Sequence, residues 1–139
     1  MAGYSGKALT ARLGLKAGAL LLVVNAPAGY RELLAPLPDG ARIATRASGR
    51  ADIVHHFATS RAELAAALGS YRRKLDVATP VWVSWPKKSA KLPTDITEGT
   101  IRDVALPLGY VDIKVCAVSE VWSGLKLVVR RDLRGDNCS

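Results

Sequence analysis

The sequence has little that would place the protein in a membrane or outside a cell. Its longest apolar run, Ala17 to Val24, contains a glycine and falls far short of the roughly 20 residues that a spanning helix needs. The opening Met1-Ala2-Gly3-Tyr4-Ser5-Gly6-Lys7 has no basic stretch followed by an apolar core and a cleavage site, which argues against a secretory signal. There are only two cysteines, Cys116 in an apolar strand pattern and Cys138 in a polar tail. A disulfide framework is therefore not expected, and a reducing compartment fits. These absences predict a cytoplasmic protein without membrane association. In that setting the Asn137-Cys138-Ser139 sequon and the Arg134-Gly135-Asp136 tripeptide are chance matches.

Catalytic signatures are also scarce. Gly6-Lys7 lacks the preceding strand and the longer glycine-bounded loop of a phosphate-binding loop. No Ser-His-Asp or Cys-His arrangement stands out. Paired carboxylates are lacking, because Glu63 and Glu98 are accounted for as helix caps. His55 and His56 are neighbours on a predicted strand, so they point to opposite faces and cannot share one metal ion. They read as one core and one rim histidine. No catalytic residue, metal site or cofactor is assigned, and the balance leans away from an enzyme.

Acids are outnumbered, 12 against 20 lysines and arginines, for a formal charge of +8. The cations cluster at Arg72-Arg73-Lys74, at Lys87-Lys88 with Lys91, and at Arg130-Arg131 with Arg134. Such a balance favours acidic partners: a small anionic ligand, an acidic protein or nucleic acid. A solvated basic surface is the plainer explanation.

What is present is a pattern of alternating elements. With 139 residues, 49% of them apolar, the chain suits one globular domain. Ser5 can cap a short helix carrying Leu9 and Leu13, ended by Gly14. Leu20 to Val24 is an unbroken apolar run of the kind a fully buried strand shows. A turn or two of helix at Tyr30 to Ala35 and strands at Ala41 to Thr45 and Asp52 to Ala58 follow. Ser60-Arg61-Ala62-Glu63 is a capping box, and Leu64, Leu68, Tyr71 and Leu75 repeat behind it at helical spacing. Then come a strand at Val81 to Trp85 and a helix capped by Asp95 with Glu98. A long strand at Val111 to Val121 turns through Ser123-Gly124 into a last strand, Leu125 to Arg130. The tail from Asp132 looks frayed. Strand and helix in alternation predict a Rossmann-like α/β domain over 1–131, with a mostly parallel sheet, helices on both faces and a C-terminal antiparallel hairpin.

This arrangement resembles the class I methyltransferase core. Leu15-Lys16-Ala17-Gly18 looks like the approach to that family's first strand, Val81-Trp82-Val83-Ser84-Trp85-Pro86 like its fifth, and Trp122-Ser123-Gly124-Leu125 like its terminal hairpin. A nearer resemblance is to a bacterial family of unknown function, the domain of unknown function numbered 3052. It rests on Gly3-Tyr4-Ser5-Gly6, Asn25-Ala26-Pro27, Thr59-Ser60-Arg61-Ala62-Glu63-Leu64, Val83-Ser84-Trp85-Pro86-Lys87-Lys88, Pro93-Thr94-Asp95, Val115-Cys116-Ala117-Val118 and Trp122-Ser123-Gly124-Leu125-Lys126. The resemblance implies a bacterial cytosolic protein and brings no established activity.

Departures from the methyltransferase pattern bear on function. A methyl donor needs glycines after the first strand, as dinucleotides do, so that backbone can approach it. Here that loop reads Asn25-Ala26-Pro27-Ala28-Gly29, and Pro27 removes a backbone donor. The second strand ends Thr45-Arg46, where an acid would hold ribose hydroxyls.

In open α/β sheets ligands bind beyond the carboxyl ends of the strands. On that rim the pattern places Asn25, His56, Trp85, Lys87, Lys88 and Trp122. Aromatic faces and cations together suit a small anionic ligand or an acidic partner. The expected function is a non-catalytic binding or regulatory domain using this rim. A nucleic-acid-associated protein is the alternative, and a degenerate methyltransferase a further one. Oligomeric state is left open.

Overall fold

The computed structural model describes residues 8–45 and 50–133. Six strands form one sheet: β1 (Leu20–Val24), β2 (Arg42–Ala44), β3 (Ile53–Phe57), β4 (Val81–Pro86), β5 (Tyr110–Ala117) and β6 (Trp122–Val129). Among the described residues four α-helices accompany them: α1 (Leu9–Leu13), α2 (Tyr30–Leu34), α3 (Arg61–Lys74) and α4 (Glu98–Ala105). The sheet order is β2-β1-β3-β4-β6-β5. Strands β2, β1, β3 and β4 run parallel, and β6 pairs antiparallel with both β4 and β5. The fold is thus the expected one, a mostly parallel sheet closed by an antiparallel hairpin.

The central strands explain the unbroken apolar runs. Every residue of β3 and β4 is buried, as expected of parallel strands covered on both faces. Two apolar clusters divide the molecule. Leu64, Leu68 and Tyr71 of α3 pack with Ile101 of α4 on one face of the sheet. Leu9 and Leu13 of α1 pack with Tyr30 and Leu34 of α2 on the other. Trp82 is fully buried on the α1 side, and its indole N–H donates to the Leu13 carbonyl at 3.0 Å, fastening α1 to the sheet.

The hairpin turn is displaced from its expected place. Strand β5 stops at Ala117, and β6 already includes Ser123 and Gly124. The turn is Val118 to Val121 instead: the Val118 and Ser119 N–H groups both donate to the Trp122 carbonyl. The Ser119 hydroxyl accepts from Val121 and Trp122. Gly124 is required by packing rather than by a turn. A Cβ there would lie 3.0 Å from Val118 Cγ2 and 3.3 Å from Trp82 Cε3. A Gly124→Ala variant is expected to lose roughly 1–3 kcal/mol by overpacking. Denaturant unfolding checks this, and an unchanged midpoint contradicts it.

Two capping assignments also change. Ser60 does cap α3, accepting from the Glu63 N–H at 3.3 Å. The Glu63 carboxylate, however, leaves the cap for other partners described below. Asp95 caps α3 rather than the following helix, its carboxylate accepting from the Arg61 N–H at 2.7 Å. The cap of α4 is a box of Thr97 with Thr100, and Glu98 pairs with Arg102 one turn on. Asp95 is carried across to α3 because Thr94 and Asp95 both hydrogen-bond to the Thr59 carbonyl. The expected Ser5 cap lies outside the described residues, as does most of the tail expected from Asp132. Arg131–Leu133 form a single 3-10 turn.

Candidate ligand-binding rim

Local sequence sets up the carboxyl rim. Each parallel strand ends at a residue that stops the ladder, and the chain turns there into a helix or loop. Asn25 follows β1 with φ +60°, a left-handed conformation that asparagine tolerates better than most residues. Its Nδ2 donates to the Phe57 carbonyl at 3.4 Å and to the Glu63 carboxylate at 3.5 Å. These contacts span β1 and β3, the place where crossovers diverge to the two faces of the sheet. That is where an open α/β fold holds its ligand.

Behind Asn25 lies a chain of polar side chains. His56 Nε2 is 3.0 Å from Glu63, and Nδ1 is 2.7 Å from the Tyr71 hydroxyl. A carboxylate only accepts, so Nε2 carries the proton and Nδ1 accepts from Tyr71. His56 is 1% exposed, so it is a core residue under the rim rather than an exposed rim group. Burial, then the nearby Glu63 and Tyr110, raise the Tyr71 pKa and keep its hydroxyl protonated.

His55 faces the other side, as strand alternation requires. It bridges the Tyr30 hydroxyl and Ser84 Oγ, each at 2.6 Å, and stacks on Phe57. Ser84 is fully buried, so this Ser-His pair offers no nucleophile to solvent. Cys116 forms no disulfide among the described residues, and burial pushes its thiol pKa up, which lowers its reactivity.

The six rim candidates separate into groups. Trp85, Lys87 and Lys88 line one cavity of about 530 Å³ together with Leu92, Thr94 and Glu98. Trp85 is largely buried, Lys87 half-buried and Lys88 exposed. The Lys87 N–H donates to the Val121 carbonyl at 2.7 Å, tying this loop to the hairpin turn. Asn25 and His56 meet through Glu63, outside that cavity. Trp122 packs edge-on against Phe57 on the α1 side of the sheet, away from Trp85. The carboxylates near Lys87 and Lys88 are engaged elsewhere, Asp95 by the Arg61 N–H and Glu98 by Arg102.

The basic clusters are less scattered than their sequence positions imply. Arg72–Lys74 end α3, and Arg130–Arg131 follow β6, so both reach the amino rim. Arg72 Nε donates to the Leu108 carbonyl and the Arg130 N–H to that of Gly109, a residue apart. Lys87, Lys88 and Lys91 stay on the carboxyl rim. No helix among the described residues is long and apolar enough to cross a membrane.

No family model matches the chain, and neither does the sequence of any curated protein. Solved structures do match. A SAM-dependent methyltransferase from Aquifex aeolicus superimposes with a TM-score of 0.63 at 13% identity, covering 88% of both chains. The fold is that of the methyltransferases. The B. subtilis M1A22 tRNA methyltransferase TrmK gives a TM-score of 0.60 at 16% identity, over 99% of this chain and 72% of its own. Magnesium protoporphyrin IX methyltransferase from Synechocystis PCC 6803, with bound SAM, gives 0.56 at 14% identity, over 88% and 74%.

The place a methyl donor would take in a methyltransferase-like fold can be tested on this chain's residues. A cavity of about 270 Å³ lies there, lined by Val23, Ala26, Pro27, Gly29, Glu32 and Thr45 among others. Pro27 offers no N–H, and Gly29 is used to start α2 at φ +82°. Glu32 is an acid that sequence reading missed, because it enters from α2 rather than from the end of β2. The lining thus lacks a backbone donor at Pro27 and holds a carboxylate at Glu32.

Proposed function

We propose that this chain is a non-catalytic ligand-binding domain built on a methyltransferase-like fold, with its ligand at the carboxyl end of β4. The observation that carries the reading is the cavity of about 530 Å³ beside Trp85, Lys87 and Lys88. An indole and a leucine give it apolar walls, and two lysines supply charge that no acid of the described residues pairs with. A small anionic ligand with an apolar body suits these walls. The resemblance to the bacterial family of unknown function belongs to this same proposal, as does a cytoplasmic location.

A thermal-shift screen of metabolites and nucleotides, followed by mapping of any hit by NMR, tests it. Hits are expected to perturb Trp85, Lys87 and Lys88. Hits that leave these residues untouched overturn the assignment.

A reduced methyltransferase is the second reading. It is favoured by Glu32 at the crevice between β1 and β2 and by neighbours that are methyltransferases. Titration calorimetry with S-adenosylmethionine separates the two. No measurable heat of binding is expected, and micromolar affinity would establish the second reading instead.

A further inference from the structure

The amino rim, opposite the site proposed above, carries its own cavity. It measures about 450 Å³ and is lined by Lys16, Arg50 and Lys126 over an apolar floor of Leu13 and Ile53. The single carboxylate in its lining, Asp52, accepts from the Leu20 N–H at 2.7 Å and so serves to fix the start of β1. Lys126 also stands directly across the ladder from Lys114 of β5. Two like charges facing each other across strands are unfavourable unless something neutralises them. The register therefore places Lys114 on the same face as the cavity. The clusters Arg72–Lys74 and Arg130–Arg131 add cations to the same rim beyond β4, with Asp76 beside Arg50 and Asp132 paired to Arg130 as the acids among them.

We propose that this rim binds the phosphodiester backbone of duplex nucleic acid, with one phosphate seated among Lys16, Arg50, Lys114 and Lys126. A phosphate between Lys114 and Lys126 removes their repulsion. The extension of positive charge past the cavity matches a chain of phosphates better than a single small anion. No aromatic side chain of the described residues is exposed, so base stacking contributes nothing and the contact is to backbone. Binding is thus independent of sequence and strongly dependent on salt. It uses a different rim from the ligand cavity, and either assignment stands without the other.

Fluorescence anisotropy with two unrelated short DNA duplexes tests this over about 50–200 mM salt. Both duplexes are expected to bind alike, with affinity falling as salt rises by a slope of about −0.9 per phosphate contact. The variant Lys16→Gln/Arg50→Gln/Lys114→Gln alters only exposed residues, and its thermal melt is expected to match the parent. Its salt slope should be shallower by about 3, with affinity at low salt reduced by at least tenfold. Lys87→Gln/Lys88→Gln is expected to bind DNA as the parent does. The proposal is overturned by no duplex binding at low salt, by a triple variant that binds normally, or by loss of binding in the Lys87/Lys88 variant. Polyglutamate binding as tightly as DNA at equal salt likewise overturns it, in favour of an acidic protein partner.

Discussion

Stability is expected to fall steeply as the pH drops below about 6.5, well before carboxylates titrate. The cause is His55. Burial first, and then the adjacent His56, lower its pKa to about 3 in the folded protein. Its unfolded value is about 6.5. The folded state therefore binds fewer protons than the unfolded state between these values. Stability from the neutral, hydrogen-bonded His55 is fully present above about pH 6.5 and is lost as pH falls, at about 1.4 kcal/mol per unit, until near pH 3. That amounts to a loss on the order of 5 kcal/mol, comparable with the whole stability of many domains. Denaturant unfolding between pH 7 and 5 isolates the histidine contribution from acids. A His55→Gln variant should show a flatter profile in that window. If its profile has the parent's slope, His55 is not the group responsible. A His55→Leu variant should be less stable near neutral pH, because the buried Tyr30 and Ser84 hydroxyls lose their shared partner at roughly 1–3 kcal/mol each, and the difference from the parent should shrink as the pH falls.

Trp85→Ala should lose both stability and ligand, whereas Lys87→Gln/Lys88→Gln should lose ligand alone. The Trp85 side chain is 9% exposed and belongs to the apolar cluster beneath α3 and α4. Truncating a buried tryptophan leaves a cavity worth roughly 3–5 kcal/mol. The same ring walls the carboxyl-rim cavity, so any ligand there loses its apolar contact. The lysines contribute charge without packing, and their removal should change stability by no more than about 0.5 kcal/mol. Unfolding curves and titrations of a ligand from the screen, run on both variants, give the comparison. A double-lysine variant that binds as the parent does would move the ligand off this rim.

Much of the sheet was legible because its cause is local. Leu20–Val24 is an apolar run, and Ile53–Phe57 and Val81–Pro86 are segments rich in branched and aromatic residues; each became a buried strand close to its expected limits. Ser60 was recognisable as a cap because its partner N–H lies three residues away. The hairpin was expected, but its turn was not. Gly124 carries the same letter whether it makes a turn or clears space for Trp82 and Val118, and those neighbours come from distant sequence.

The candidate site divides in the same way. The sequence by itself determined which strand ends share the carboxyl rim, since strand ends follow from the residue pattern and parallel strands end together. It also determined that His55 and His56 face apart, because strand geometry alternates side chains. Only the tertiary structure decided their partners. Glu63 is one helical turn from its cap, yet it turns to His56 and Asn25, which β1 and β3 bring within reach. Asp95 precedes α4 but caps α3, because the chain folds back along Thr59. Trp85 and Trp122 are assigned to opposite faces by the register of β4 with β6, a pairing between segments that no local pattern encodes. Charge followed the same rule. Arg72 and Arg130 lie far apart in sequence and meet at the amino rim because α3 runs antiparallel to the strand it precedes while β6 reverses the chain. Contacts within a turn of helix or a few strand residues are written in the sequence. Contacts between elements depend on sheet order, which only the assembled fold supplies.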